Sequence, residues 1–165
     1  MLHLIPAPLH RLLYRAAHAV RRQWWRVRRP RRSSVVVIAF DEAGRVLLVR
    51  HSYGRPLWAL PGGGMERGEL AEQAAAREIG EELGCGVTGL IAIEANERRI
   101  AGSLDRQHVF IARLVGRPVP DMREIVAVEL VDPADLPEPC GRRTRQWIAQ
   151  AMAFRGAAEA PSEQR

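Results

Sequence analysis

Glu69, Arg77, Glu78, Glu81 and Glu82 crowd a short stretch of the chain. On a helix, Glu78 stands three residues before Glu81 and four before Glu82. The three carboxylates then project from neighbouring positions. Like charges at that spacing repel one another, so the arrangement is costly unless something positive sits among them. A hard divalent cation such as Mg²⁺, which takes oxygen ligands and bridges to phosphates, would answer the cost. A solvated acidic face is the other reading of the same four glutamates. The surroundings favour the cation. Gly62, Gly63 and Gly64 come just before the helix, and glycines let backbone approach a ligand closely or take positive φ. Arg77 lies inside the acidic cluster, where it can pair with Glu69 and hold the loop to the helix. Gly84 supplies a helix stop. The segment reads as loop–helix–loop with an internal ion pair and three outward carboxylates.

The elements that must position this segment follow from hydrophobic patterning. Val35 to Phe40 is a β-branched run and predicts a strand; Asp41 to Gly44 is a turn, and Arg45 to Arg50 returns as a hairpin partner. Trp58 to Leu60 is short and extended, halted by Pro61. Leu70 to Leu83, rich in Ala and Glu, predicts a helix. Val87 to Glu97, Arg106 to Val115 and Ile125 to Val131 predict strands. Thr144 to Phe154 predicts a closing helix with Trp147, Ile148, Ala151 and Met152 inward. Helices and strands mixed in this way imply an α/β fold with helices on both sides of a mixed sheet.

The 165 residues suit one domain of about residues 34–156 with an extension at 1–33 and a polar tail at 157–165. Charge divides the chain. Residues 1–40 hold nine arginines and no Asp or Glu; the other 125 hold 16 basic residues against 19 acidic. The basic character therefore belongs to the arm and does not mark the body as a nucleic-acid-binding fold. Within the arm, Leu9, Leu12, Leu13, Ala16, Val20 and Trp24 recur at helical spacing, and Arg28 to Ser34 reads as a charged linker. A basic amphipathic helix over residues 8–29 admits three partners: the body or a second subunit in a homodimer, an anionic membrane surface, or nucleic acid. Cys85 and Cys140 offer no disulfide framework and no four-ligand zinc pattern. Reduced thiols and the lack of a spanning run or secretory signal suggest a cytoplasmic protein, with the inner membrane surface as a peripheral location.

Gly63, Glu69, Arg77, Glu78, Ile79, Glu81, Glu82 and Gly84 fit G-x5-E-x7-R-E-U-x-E-E-x-G-U, where U is aliphatic. This resembles the Nudix box, with Cys85 alone departing at the last place. Cys is small and apolar enough to pack there. The approach Trp58-Ala59-Leu60-Pro61-Gly62-Gly63 is also similar to the family's. The resemblance implies a Nudix-type α/β/α sandwich over about residues 34–155. It further implies that Glu78, Glu81 and Glu82 bind Mg²⁺ or Mn²⁺, that the carbonyl of Gly62 or Gly63 adds a ligand, and that Glu69 and Arg77 form a structural ion pair. Glu124-Ile125 with Asp135-Leu136-Pro137 resembles a further family stretch, with Leu130 where the family has Trp. Glu124 would then be a carboxylate near the metal, as base or ligand; an outer-surface glutamate is the alternative.

The resemblance implies metal-assisted hydrolysis of the pyrophosphate linkage in a nucleoside diphosphate joined to another moiety. A nucleotide sugar, ADP-ribose or a nucleoside triphosphate would be such a nucleotide-derived small-molecule substrate. Arg50, His51, Tyr53, Arg55 and Trp58 lie just before the box, where aromatics could stack on a base and arginines hold a phosphate. Against that, Trp58 also suits the core and His51 a strand end, while His108 belongs to core or surface. The signatures of NADH, coenzyme A and dinucleoside-polyphosphate hydrolases are absent. Two rivals stand beside this reading: a Nudix-fold binding or regulatory module without catalysis, and an RNA 5′-end pyrophosphohydrolase whose arm recruits RNA.

Overall fold

A computed structural model describes residues 31–100 and 103–159. The strands are β1 (Arg31–Phe40), β2 (Val46–His51), β3 (Trp58–Ala59), β4 (Gly86–Ile100), β5 (Ser103–Val115) and β6 (Ile125–Val131); the helices are α1 (Ala71–Leu83) and α2 (Arg142–Glu159). They form one mixed sheet in the order β3-β2-β1-β5-β4, with β6 paired to β2. β1 runs parallel to β5 along its whole length, and β2 runs antiparallel to β6.

Period-two alternation divides the core. Val35, Val37, Ala39, Leu47 and Val49 face α1, where they meet Ala74, Ala75, Ile79 and Leu83. Ile38, Phe40, Val46 and Leu48 face the other way and meet Trp147, Ile148 and Ala151 of α2. Successive strand side chains point to opposite faces, so each strand serves both layers. The α/β/α arrangement expected from patterning is the one observed.

Several boundaries differ from the sequence reading, each for a tertiary reason. β1 starts at Arg31, inside the stretch read as a linker, because Arg31 to Ser34 pair in register with Leu104 to Gln107 of β5. α2 runs past Gly156 to Glu159, so residues 157–159 belong to the helix. Met152, expected inward, is exposed; one helical residue after Ala151, it lies beyond the edge of the buried stripe. The amphipathic helix of residues 8–29, and its membrane, subunit and nucleic-acid partners, lie outside the described residues, as does the tail from residue 160. Among the described residues no helix is long and apolar enough to cross a membrane.

The loop between β3 and α1 does not float free. Val37 N–H donates to the Pro61 carbonyl at 3.0 Å, Val35 N–H to Gly63 at 2.9 Å, and Met65 N–H to Ser33 at 3.0 Å. Residues 61–65 thus pair with the edge of β1 that β2 has left. This pairing places the glycines beside the sheet and aims α1 across it.

Candidate active site

Leu70 caps α1 in extended conformation, and its N–H donates to Gln73 Oε1 at 3.3 Å. Gly84 closes the helix in the left-handed region at φ 59°, with its N–H on the Gly80 carbonyl. Between these ends the buried stripe is Ala74, Ala75, Ile79, Glu82 and Leu83. Glu82 falls three residues after Ile79, on the core-facing side, and is 4% exposed. The three carboxylates are therefore not equivalent and not all outward. Only Glu81 projects into solvent, its side chain 64% exposed. Glu78 lies between, mostly covered.

Arg77 organises the outer side. Its Nε and Nη2 take both Glu69 oxygens, Nη2 also reaches the Gly64 carbonyl, and Nη1 contacts Glu78 at 3.0 Å and Glu81 at 3.1 Å. Glu69 in turn accepts the Glu66 N–H at 2.8 Å. The hydrogen bond from Arg77 holds the Glu69 carboxyl below the usual range, and that to Glu69 lifts the guanidinium well above its own. Glu81 is thereby drawn into the ion-pair network on the outer surface.

The inner side is built differently. Glu82 Oε2 is buried with no hydrogen-bond partner. Burial, followed by the negative charges of Glu124, Glu78 and Asp121, pushes its carboxyl up to about 9, against a weaker lowering by a backbone hydrogen bond from Gly62. Burial also raises Glu78, with Arg77 opposing. Gly62 and Gly63 are both closely approached, Gly62 by sheet backbone and Gly63 by a side-chain end. A Cβ on Gly62 would lie 2.2 Å from the Val35 carbonyl oxygen, and one on Gly63 about 2.4 Å from the Glu78 carboxyl. The Gly63 carbonyl, expected as a metal ligand, accepts the Val35 N–H.

Glu124 arrives from the opposite side. The 116–124 loop is tied across the end of α1 by Val119 N–H to the Leu83 carbonyl at 2.8 Å and Asp121 N–H to the Glu82 carbonyl at 3.0 Å. The Asp121 carboxylate accepts the N–H groups of Arg123, Glu124 and Ile125. Next comes a bulge: Arg50 pairs with Ala127 but His51 pairs with Ile125, so Val126 is the extra residue. The bulge sets Ile125 into the core under α1 and brings Glu124 beside His51, where bulges commonly re-aim side chains. One ligand atom each from His51, Glu82 and Glu124 then lies within 4.8 Å of the other two. The Tyr53 hydroxyl donates to Glu124 Oε1, and the Tyr53 and His51 rings pack at 5.2 Å.

His51 and Tyr53, expected near substrate, therefore join the carboxylates. Arg50 and Trp58 do not. The Arg50 guanidinium stacks over the Trp58 ring at 4.5 Å, and Trp58 is core on the α2 side. Strand alternation puts Arg50 on the face opposite His51. Asp121 escaped the sequence reading altogether. Its signal is a carboxylate three residues before Glu124, where an Asp can gather the next backbone N–H groups.

The donor set suits a divalent cation. Two carboxylates and an imidazole converge around the buried Glu82, whose Oε2 is unpartnered and whose proton affinity is far above normal, with the charges of Glu78 and Asp121 adding to it. Without a positive charge such a site keeps a proton at neutral pH; with one, ionisation becomes favourable.

The NUDIX domain family model matches residues 30–151. A Bacillus subtilis protein named "Putative 8-oxo-dGTP diphosphatase" is 37% identical over 102 residues, 61% of this chain and 66% of that protein. An RNA pyrophosphohydrolase of Teredinibacter turnerae is 45% identical over 53 residues, 32% of this chain and 31% of its own. The matched stretches thus span less than two thirds of these relatives' length. Among solved structures, a MutT NUDIX hydrolase from Burkholderia pseudomallei superposes with a TM-score of 0.65 at 27% identity, covering 73% of this chain and 97% of that one. With the domain matched over most of its length and the box residues gathered at one sheet end, this chain belongs to the Nudix family.

Proposed function

We propose that this chain is a divalent-metal-dependent hydrolase that cleaves the pyrophosphate linkage of a nucleoside diphosphate joined to another group. The observation that carries this reading is the buried Glu82 carboxyl, its Oε2 without a hydrogen-bond partner, under the charges of Glu124 and Glu78. Such a convergence of carboxylates is unfavourable for folding alone and suited to holding Mg²⁺ or Mn²⁺.

The bound cation would neutralise phosphate charge and make water a better nucleophile. Glu82 and Glu124 would hold it. Glu78 takes the proton of the attacking water, its affinity for a proton already raised by burial. The water oxygen bonds to phosphorus, the bridging P–O bond breaks, and the leaving phosphate oxygen carries away the electron pair. Arg77 keeps the Glu78 carboxyl aimed by the Nη1 bond at 3.0 Å. Glu81 serves from the outer edge of the same network. Tyr53 orients Glu124 through its hydroxyl, and the Gly63 backbone leaves room for Glu78.

The substrate reading is of nucleoside triphosphate, ADP-ribose or nucleotide-sugar type, the first being favoured by the Bacillus subtilis relative, named a putative 8-oxo-dGTP diphosphatase. A second reading, removal of pyrophosphate from RNA 5′ ends, is favoured by the Teredinibacter turnerae relative and by the Arg-rich residues 1–40. Hydrolysis assays on 8-oxo-dGTP, unmodified nucleoside triphosphates, ADP-ribose, nucleotide sugars and 5′-triphosphate RNA, with and without Mg²⁺, distinguish these. Turnover of none of them would favour a binding module in place of an enzyme.

A further inference from the structure

We propose that His51 is a nitrogen ligand of the metal site and that it turns the site toward first-row transition-metal cations, Mn²⁺ among them, over Mg²⁺. The proposal rests on the reading that Glu82 and Glu124 hold a divalent cation, and it adds a donor of a different chemical kind.

Three observations carry it. The first is placement: β2 ends at His51, and alternation sets its ring on the α1 face with Leu47 and Val49. The bulge puts Ile125 opposite this residue in place of Val126, and the preceding residue, Glu124, accepts the Ser52 N–H at 2.8 Å, so its carboxylate lies within 4.8 Å of the ring. The second is satisfaction. His51 Nδ1 is buried and makes no hydrogen bond, and Glu82 Oε2 is buried in the same condition. A histidine placed only to neutralise these carboxylates would donate a ring N–H to one of them. Instead an imidazole nitrogen and two carboxylates meet with no proton shared between imidazole and carboxylate. Groups that all offer lone pairs to one point are what a cation requires. The third is support. Tyr53 packs its ring against His51 and donates its hydroxyl to Glu124, so one side chain orients both. Partners that fix the orientation of metal ligands are a regular part of such sites.

The spacing agrees. With metal–oxygen and metal–nitrogen bonds of about 2.1 Å, donors on opposite sides of an octahedral ion lie about 4.2 Å apart. Neighbouring donors lie about 3.0 Å apart; the three donors here are within 4.8 Å of one another, so closure asks for side-chain shifts of about an ångström.

Cation preference follows from the ligand type. Mg²⁺ is matched by carboxylate, carbonyl and water oxygens; imidazole shifts a site toward the first-row transition metals. Carboxylates suit Mg²⁺ and Mn²⁺ alike, so a nitrogen donor is what adds to the transition-metal side.

The test uses the full chain and the metals themselves. Mn²⁺ is titrated while the electron paramagnetic resonance of free Mn²⁺ is followed, then displaced with Mg²⁺; pulsed measurements on the bound ion read coordinated nitrogen. Wild type is expected to bind Mn²⁺ about tenfold or more tightly than Mg²⁺ and to show imidazole ¹⁴N coupling. His51→Gln is expected to lose the coupling and about tenfold in Mn²⁺ affinity, with Mg²⁺ affinity changed far less. Glu82→Gln removes tight binding of both ions. Mn²⁺ bound in a Glu82-dependent way without nitrogen coupling overturns the role of His51 and leaves the hydrolase reading standing. Failure of wild type to bind either ion at millimolar concentration overturns both. The nitrogen measurement on wild type needs no variant, so a folding defect in His51→Gln does not blunt the test.

Discussion

Arg77 grips Glu69 through two parallel bonds, Nε to Oε1 at 2.9 Å and Nη2 to Oε2 at 3.1 Å, with the Gly64 carbonyl held by the same guanidinium at 2.9 Å. One side chain of α1 thus fixes both ends of the 64–69 loop. The hydrogen bond from Arg77 keeps Glu69 below its ordinary carboxylate value of 4.5. A carboxyl whose folded value is depressed stabilises the fold above its unfolded value, and that contribution is lost as pH falls through the folded one. Glu69→Gln should therefore lower Tm by a few degrees at pH 7. The gap between variant and wild type should close as the medium is acidified below pH 4.5. Thermal melts across pH check this, and a constant gap down to strong acid would show that the pair is not its source.

Glu82→Gln should abolish most turnover while leaving the fold intact. The Glu82 carboxyl, pushed up to about 9, carries its proton at neutral pH when no cation is bound. An amide of the same shape reproduces that neutral form, so metal-free stability should be unchanged or slightly raised. The metal response separates the two proteins. At a Mg²⁺ concentration of about 100 times Kd, wild type should gain about 2.7 kcal/mol of stability, and the variant almost none. Parallel melts with and without Mg²⁺ read the difference; equal gains would remove Glu82 from the metal site.

How much of this was legible in the sequence differs by element. Ile125 to Val131 was read with the observed bounds because its apolar run and its sheet pairing stop together. The start of β1 was not, because Arg31 to Ser34 carry no strand signal and are ordered by pairing with β5. The box was legible as a motif, since its fixed spacing survives without coordinates. The inequality of its carboxylates was not. Glu82 and Glu81 are adjacent in sequence, and only the direction in which α1 packs decides that one is buried and the other exposed. The meeting of His51 with Glu124 illustrates a further limit: it depends on one extra residue in β6, and a bulge leaves no periodic trace.

Gly62 and Gly63 should respond to alanine in opposite ways. At Gly62 the backbone has φ 145°, and a Cβ would meet the Val35 carbonyl oxygen at 2.2 Å and Val36 Cα at 2.9 Å. Those neighbours are sheet backbone and cannot yield cheaply, so Gly62→Ala should cost about 3 kcal/mol or more. At Gly63 the obstacle is the end of the Glu78 side chain at 2.4 Å. That carboxyl can swing aside, so Gly63→Ala should cost under about 1 kcal/mol while displacing Glu78 and cutting kcat. Denaturant titrations beside steady-state kinetics test the contrast. A Gly63→Ala enzyme with unaltered kcat would show that the position of Glu78 does not matter to the chemistry.

Asp121 is expected to act through Glu124 and not through substrate. Its carboxylate accepts the N–H groups of Arg123 at 2.9 Å, Glu124 at 3.0 Å and Ile125 at 2.9 Å, while its own N–H ties the loop to the Glu82 carbonyl. Ile125 is buried, so its N–H would be left without an acceptor in Asp121→Ala. Losing that acceptor should cost about 1–3 kcal/mol. The loop segment would also loosen next to the metal cluster, which should weaken Mg²⁺ binding. Asp121→Asn keeps one side-chain oxygen at Oδ1, the atom that serves all three donors. It should recover most of the stability and most of the metal affinity together. A positioning role requires that joint recovery, measured by denaturant unfolding and by metal titration. Recovery of stability without recovery of metal affinity would instead mark the negative charge of Asp121 as part of the field that holds the cation.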